Sequence, residues 1–73
     1  MQFLKIDEKE NISETLKGIS ILINPNAIAY ICTALDGFSN HTNITMTNGK
    51  IFKVNISYQD LKNRVDSINL QNI

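Results

Sequence analysis

The chain has one cysteine, one histidine, one proline, three glycines and no tryptophan. A lone cysteine excludes an internal disulfide, and the absence of clustered cysteines removes the usual zinc spacings. One histidine cannot build a zinc site without partners gathered around it. Gly18, Gly37 and Gly49 are isolated, so no glycine-rich loop is available to cradle a phosphate. No apolar run approaches the roughly 18–20 residues of a membrane-spanning helix. The start, Met1 to Lys5, lacks a basic segment followed by an apolar block, so no signal peptide is evident. The expected location is cytoplasmic, with no membrane partner. Formal net charge is zero, so no global field favours nucleic acid. Acid is in slight excess before Gly37 and base after it, a pattern that reads as a solvated mixed-charge surface.

What is present is organised around Asn43–Ile56. Asn48-Gly49 between alternating apolar residues is the strongest short-range hairpin signal. A two-residue type I′ turn would place Ile44 opposite Lys53 and mix polar and apolar side chains on both faces. A three-residue loop, Thr47-Asn48-Gly49, instead pairs Met46 with Lys50, Ile44 with Phe52 and Thr42 with Val54. It gathers Ile44, Phe52, Val54 and Ile56 on one face, and is the preferred reading. Gly49 then takes the left-handed position. Ser57 is a good N-cap with Asp60 at the capping-box position, and Leu61, Val65 and Ile68 make one apolar helical stripe.

Upstream, Phe3–Ile6 and Ile19–Ile23 read as strands, the second ended by Asn24-Pro25-Asn26, where Pro25 fixes φ. The polar stretch 7–18 reads either as one helical turn over Ile12–Lys17, started by Asn11 and closed by Gly18, or as a long mobile hairpin connection. From Ala27 to Leu35 both alternate sets of residues are apolar, which predicts a central strand buried on two faces. Asp36–His41 reads as a loop with Phe38 tucked beneath it, and residues 69–73 as a frayed tail. The expectation is one α+β domain over residues 1–73: a small antiparallel β-meander of four or five strands with one C-terminal helix.

A chain of this length has a core worth roughly 3–5 kcal/mol and needs a staple or a partner. One helix covers one face of a sheet, whereas the strand 27–35 asks for cover on both. The missing cover would come from the N-terminal segment, a second copy or another protein.

Catalytic chemistry has little support. Cys32 reads as a small apolar strand residue and His41 as a loop residue. Asp7, Glu8 and Glu10 read as a solvated acidic run, because a catalytic carboxylate pair needs a cleft that separates the two pKa values. Four Asn-X-Ser/Thr sequons, at Asn11, Asn40, Asn43 and Asn55, have no secretion route behind them. Lys50, Lys53, Lys62 and Arg64 could contact nucleic acid if they converged, but no aromatic residues are interleaved with them.

The segments Ile23-Asn24-Pro25-Asn26-Ala27-Ile28-Ala29-Tyr30-Ile31, Thr45–Lys50, Val54 and Ser57–Leu61 resemble small bacterial flagellar and swarming-motility proteins of the FlbD-like family. That resemblance implies a short cytoplasmic chain and no catalytic residue. Residues 7–17 and 36–41 are longer than the family's pattern. Ile28, Tyr30-Ile31, Gly49-Lys50, Val54, Ser57 and Leu61 also resemble the first half of a LytTR-type DNA-binding domain. The second half of such a domain has no counterpart. The sequence thus reads as a non-enzymatic protein-interaction module, homo-oligomeric, with no cofactor, metal or small-molecule substrate. The alternative is a nucleic-acid-binding regulator. Gly49, Asn48, Ser57 and Pro25 are its structural markers.

Overall fold

The computed structural model describes the backbone of residues 2–71 and the side chains of residues 2–68. Five antiparallel strands and one helix follow in the order β1 (Leu4–Ile6), β2 (Ile21–Ile23), β3 (Ile28–Thr33), β4 (Thr42–Met46), β5 (Ile51–Val54) and α1 (Tyr58–Gln71). The fold is the expected small α+β arrangement. The strands divide into two sheets, a β1–β2 pair and a three-stranded sheet in the order β3-β4-β5. The break falls at Asn24, whose side-chain oxygen accepts from the Asn26 amide at 3.0 Å and starts a single 3₁₀ turn over Pro25–Ala27. Pro25 fits that first position because its missing N–H would have been an orphan there.

The β4–β5 hairpin takes the three-residue loop. Thr42 pairs with Val54 and Ile44 with Phe52. The Gly49 amide donates to the Met46 carbonyl and the Met46 amide to that of Lys50. Gly49 has φ +89°, and the Asn48 side chain accepts from the Lys50 amide at 2.9 Å. Burial set this register, since it alone puts the fully buried Ile44 and Val54 on one side.

Ile44, Val54 and Ile56 pack with Leu4, Ile6 and Ile23 of the small sheet and with Leu61 of the helix into a single core. Val65 and Ile68 lie against it as the helical stripe requires. The Ser57 hydroxyl accepts from the Asp60 amide at 3.2 Å, the cap expected there. Thr42, fully buried between these layers, donates its hydroxyl to the Ile56 carbonyl at 2.6 Å, so it can sit in the core without an orphan. The helix runs to Gln71, into the tail 69–73 expected to fray; residues 72–73 lie outside the described residues.

Three expectations need correction. The strand at 27–35 is not central: β4 is, and β3 is an edge strand with most of its residues exposed. The register shifts between Ile28 and Tyr30, so Ala29 is an extra residue and Ile28 and Ile31 both reach the core side. A bulge, not burial on two faces, makes both alternate sets apolar. Residues 7–18 form neither the single helical turn nor a plain hairpin connection. They form turns at 8–10 and 14–18 around an isolated bridge from Asn11 to Val54. Phe38 does not tuck beneath its loop; it is 59% exposed, its ring 4.8 Å from that of His41.

Candidate interaction surface

The three-stranded sheet has two outer edges, and the chain treats them differently. Along β5 the segment 10–13 runs as an added half-strand. The Ile12 amide donates to the Lys53 carbonyl at 3.0 Å, and the Asn55 amide to the Glu10 carbonyl at 2.7 Å. The Ser13 hydroxyl accepts from the Lys53 amide at 2.9 Å. Asn11 holds the segment in shape. Only 1% exposed, it donates from Nδ2 to the carbonyls of Leu16 and Ile19 and accepts at Oδ1 from the Ser13 amide. Glu10 then meets Arg64 of the helix through both carboxylate oxygens, at 2.6 and 3.1 Å. That bidentate contact holds the Glu10 carboxyl below its usual range, against the opposing effect of burial.

Along β3 nothing comparable occurs. The Ala34 amide donates to the His41 carbonyl at 3.0 Å, which fixes the phase of the β3–β4 ladder. Antiparallel pairing alternates, so Tyr30 and Cys32 turn their backbone groups toward β4, and Ile31 and Thr33 turn theirs outward. Among the described residues no backbone group bonds to that outward side. Exposed edges are normally guarded by charge, above all lysine. From Gly18 to Leu35 the chain carries no Asp, Glu, Lys, Arg or His.

The sheet face turned away from the core continues this surface. One cross-strand row is Tyr30–Thr45–Ile51, with Tyr30 58% and Ile51 56% exposed; the next is Cys32–Asn43–Lys53. Beyond them Leu35 is fully exposed. The loop after β3 closes one end of the face. Asp36 accepts from His41 Nδ1 at 2.8 Å and pairs with the Lys53 ammonium. Lys53 and then His41 hold the Asp36 carboxyl far below the usual carboxylate range.

Cys32, His41 and Asp36 therefore share one sheet face, with a carboxylate orienting the imidazole as in a nucleophilic site. The thiol, however, makes no hydrogen bond to His41, and Asp36 is occupied by Lys53 as well. The arrangement fastens a loop; it lacks the nucleophile–base contact that acyl transfer requires. Among the described residues no group of three His, Cys, Asp or Glu side chains could hold a metal ion. No helix among them is long and apolar enough to cross a membrane.

The basic residues singled out in the sequence separate in space. Lys53 lies on the outer sheet face with Asp36, whereas Lys62 and Arg64 ride on the helix, which packs against the opposite face. Lys62 is bound to Asp66 at 2.9 Å and Arg64 to Glu10. Lys50 sits at the hairpin tip, 5.3 Å from the centre of the Phe52 ring. It also borders a groove of about 360 Å³ between β2 and the hairpin, whose other lining residues include Ile21, Ile23, Met46 and Asn48. Lys50 is the one charged residue of that lining. Gly49 and Asn48 shape the hairpin turn, Ser57 caps α1 and Pro25 opens the 3₁₀ turn.

Sequence reasoning missed Asn11 and Ser13 as the fastening of the β5 edge. Their partners are backbone groups some forty residues away or on the next turn, and no periodicity announces such bonds. The open β3 edge was hidden by the bulge. A signal for it was present in the long uncharged stretch, which marks a strand without edge guards.

No family model, curated protein or solved structure matches the chain. The likenesses to FlbD-like and LytTR-type proteins rest on the quoted residues alone.

Proposed function

We propose that this chain is a small non-enzymatic interaction module that works by strand addition at the β3 edge, with a second copy of itself as the first occupant. The supporting observation is the contrast in guarding: a six-residue edge strand with no charge, and an opposite edge where the chain's own residues 10–13 bond Lys53 and Asn55. Two-fold pairing sets the residue on the axis against its own copy, so a charge there would meet its own kind, and like charges opposite one another are destabilising. An edge without charge carries no such penalty. The exposed Tyr30 and Leu35 supply apolar area next to the edge, and tyrosine is enriched at such interfaces. A stable dimer needs about 800 Å² from each partner, of a total surface of 4791 Å².

Light scattering over a concentration series is the test. The wild-type chain is expected to show twice the monomer mass at micromolar concentration. Thr33→Pro removes an outward N–H that bonds to nothing among the described residues, and proline is tolerated at edge positions of that kind. The variant should keep its circular dichroism and lose the dimer. A monomeric wild type at all concentrations would refute the proposal. The nucleic-acid reading ranks second because Lys53, Lys62 and Arg64 already hold carboxylates. It predicts retardation of mixed DNA that weakens steeply with salt.

A further inference from the structure

Resting on that reading, we propose that the second copy pairs in one register, with the two-fold axis passing through Cys32. Ile31 then faces Thr33 of the second copy, Thr33 faces Ile31 of the second copy, and the two Cys32 residues lie directly opposite each other.

The bulge selects this register. Ala29 is displaced from the ladder, so the regular part of the strand begins at Tyr30 and continues to the Ala34 amide bonded to His41. The midpoint of that segment is Cys32. Only Ile31 and Thr33 present backbone groups outward within it. An axis at Cys32 brings each of them to the other and satisfies both pairs of N–H and C=O groups in both copies. An axis at Ile31 would need Ala29 opposite Thr33, and Ala29 is the bulged residue. An axis at Tyr30 would need Ala29 opposite Ile31 and meets the same obstacle.

The side chains agree with the backbone. On the outer face the exposed Tyr30 ring falls opposite the position of Ala34 of the second copy, a small residue already buried in its own chain. On the core face Ile31 meets Thr33. No charged residue opposes another anywhere along the junction, because none lies between Gly18 and Asp36. The axis is perpendicular to the sheet, so both helices lie on one side and both thiols on the other. Cys32 is exposed on that side.

Cys32 would occupy a position between bonded pairs, where opposed Cα atoms stand about 4.5 Å apart. That separation lies within the range a disulfide spans. The register is therefore readable with an added oxidant. With diamide, two Cys32 thiols lose two protons and two electrons to form one S–S bond, and diamide is reduced to the hydrazine.

The experiment uses the full chain at a concentration where light scattering has first reported dimer. Brief diamide treatment and non-reducing electrophoresis should give a covalent dimer. Two relocated single-cysteine variants, Cys32→Ala/Thr33→Cys and Cys32→Ala/Tyr30→Cys, should cross-link about tenfold more slowly or worse, since neither thiol would face its own copy. Cys32→Ser should give no covalent dimer while its scattering mass stays that of a dimer. A dimer by scattering whose Cys32 links no faster than a cysteine at 30 or 33 would overturn the register and leave the interaction module standing. A chain that is monomeric throughout would overturn both.

Discussion

The two edges of the three-stranded sheet are alike in backbone chemistry and opposite in treatment. On β5 the chain turns back and satisfies the outward amide and carbonyl of Lys53, and the Asn55 amide just beyond the strand, with residues 10–13, which Asn11 and the Glu10–Arg64 pair hold in place. On β3 the corresponding groups of Ile31 and Thr33 have no strand beside them among the described residues, and β3 itself carries no charge. A strand edge is a template for another chain. In the proposed pairing the β3 edge closes on its own copy as a dimer. Two open edges would continue into a fibre, because strand addition at both ends never closes.

The largest effect should come from unsealing β5. Asn11→Ala strands the carbonyls of Leu16 and Ile19 and the Ser13 amide in a buried place. Leaving such groups unsatisfied costs about 1–3 kcal/mol each, and a chain of this size has a core worth roughly 3–5 kcal/mol. Urea unfolding should show most of the stability gone. At a temperature where the variant still folds, light scattering should show species larger than a dimer. Next comes the turn that places β5 beside β4. Gly49 has φ +89° with open space around it, so a side chain there meets no neighbour and the cost is conformational alone. Gly49→Val should lose about 1–2 kcal/mol in the same urea experiment, with the dimer retained.

Much of the sealed side was legible in sequence, and the open side was misread. The hairpin register followed from asking which pairing buries Ile44 with Val54, a question that local residues answer. Ser57 announced the helix, and Leu61, Val65 and Ile68 announced its buried stripe. Asn11 and Ser13 were not legible as a seal, because a hydrogen bond to Lys53 across the fold leaves no periodic trace. For β3 the alternation rule failed at one residue. A bulge at Ala29 shifts the phase of every residue after it, so Ile28 and Ile31 both face inward and the strand imitates one buried on two sides. The core face is closed by the small sheet and the helix, whereas Tyr30, Cys32 and Ile51 on the outer face are exposed.

A smaller effect concerns the clasp at the end of β3. Asp36 has its carboxyl pKa lowered in the fold by Lys53 and His41. A group whose folded pKa lies below its unfolded one contributes stability that is fully present above the unfolded value, 3.8 for an ordinary aspartate. The contribution fades as pH falls from there through the lower folded value. Glu10 shifts in the same direction and should add to the same acid limb. Thermal melts between pH 7 and pH 2.5 should therefore lose midpoint on the acid side. Asp36→Asn should lower the midpoint at pH 7 and make the acid loss shallower. An acid limb unchanged by Asp36→Asn and by Glu10→Gln would place the pH dependence in other groups.

The smallest effect on the fold should be the most decisive for the edges. Cys32 is exposed on the outer face of β3 and belongs to no buried contact, so replacing it should change monomer stability by no more than about 0.5 kcal/mol. In the proposed register it nonetheless meets itself. Cys32→Lys sets two ammonium groups against each other across the junction, and Cys32→Glu does the same with carboxylates. Each variant alone should dimerise roughly tenfold more weakly than the wild type. Mixed in equal amounts, the two should pair with each other, because every junction then sets opposite charges together. Size-exclusion profiles of the separate and mixed samples read this directly. Guarding β3 with a charge would make it resemble the sealed edge in behaviour, and recovery on mixing cannot arise from unfolding. If the mixture stayed as weak as its components, Cys32 would not lie on the axis. If neither variant weakened the dimer, the two copies would be meeting somewhere other than this edge.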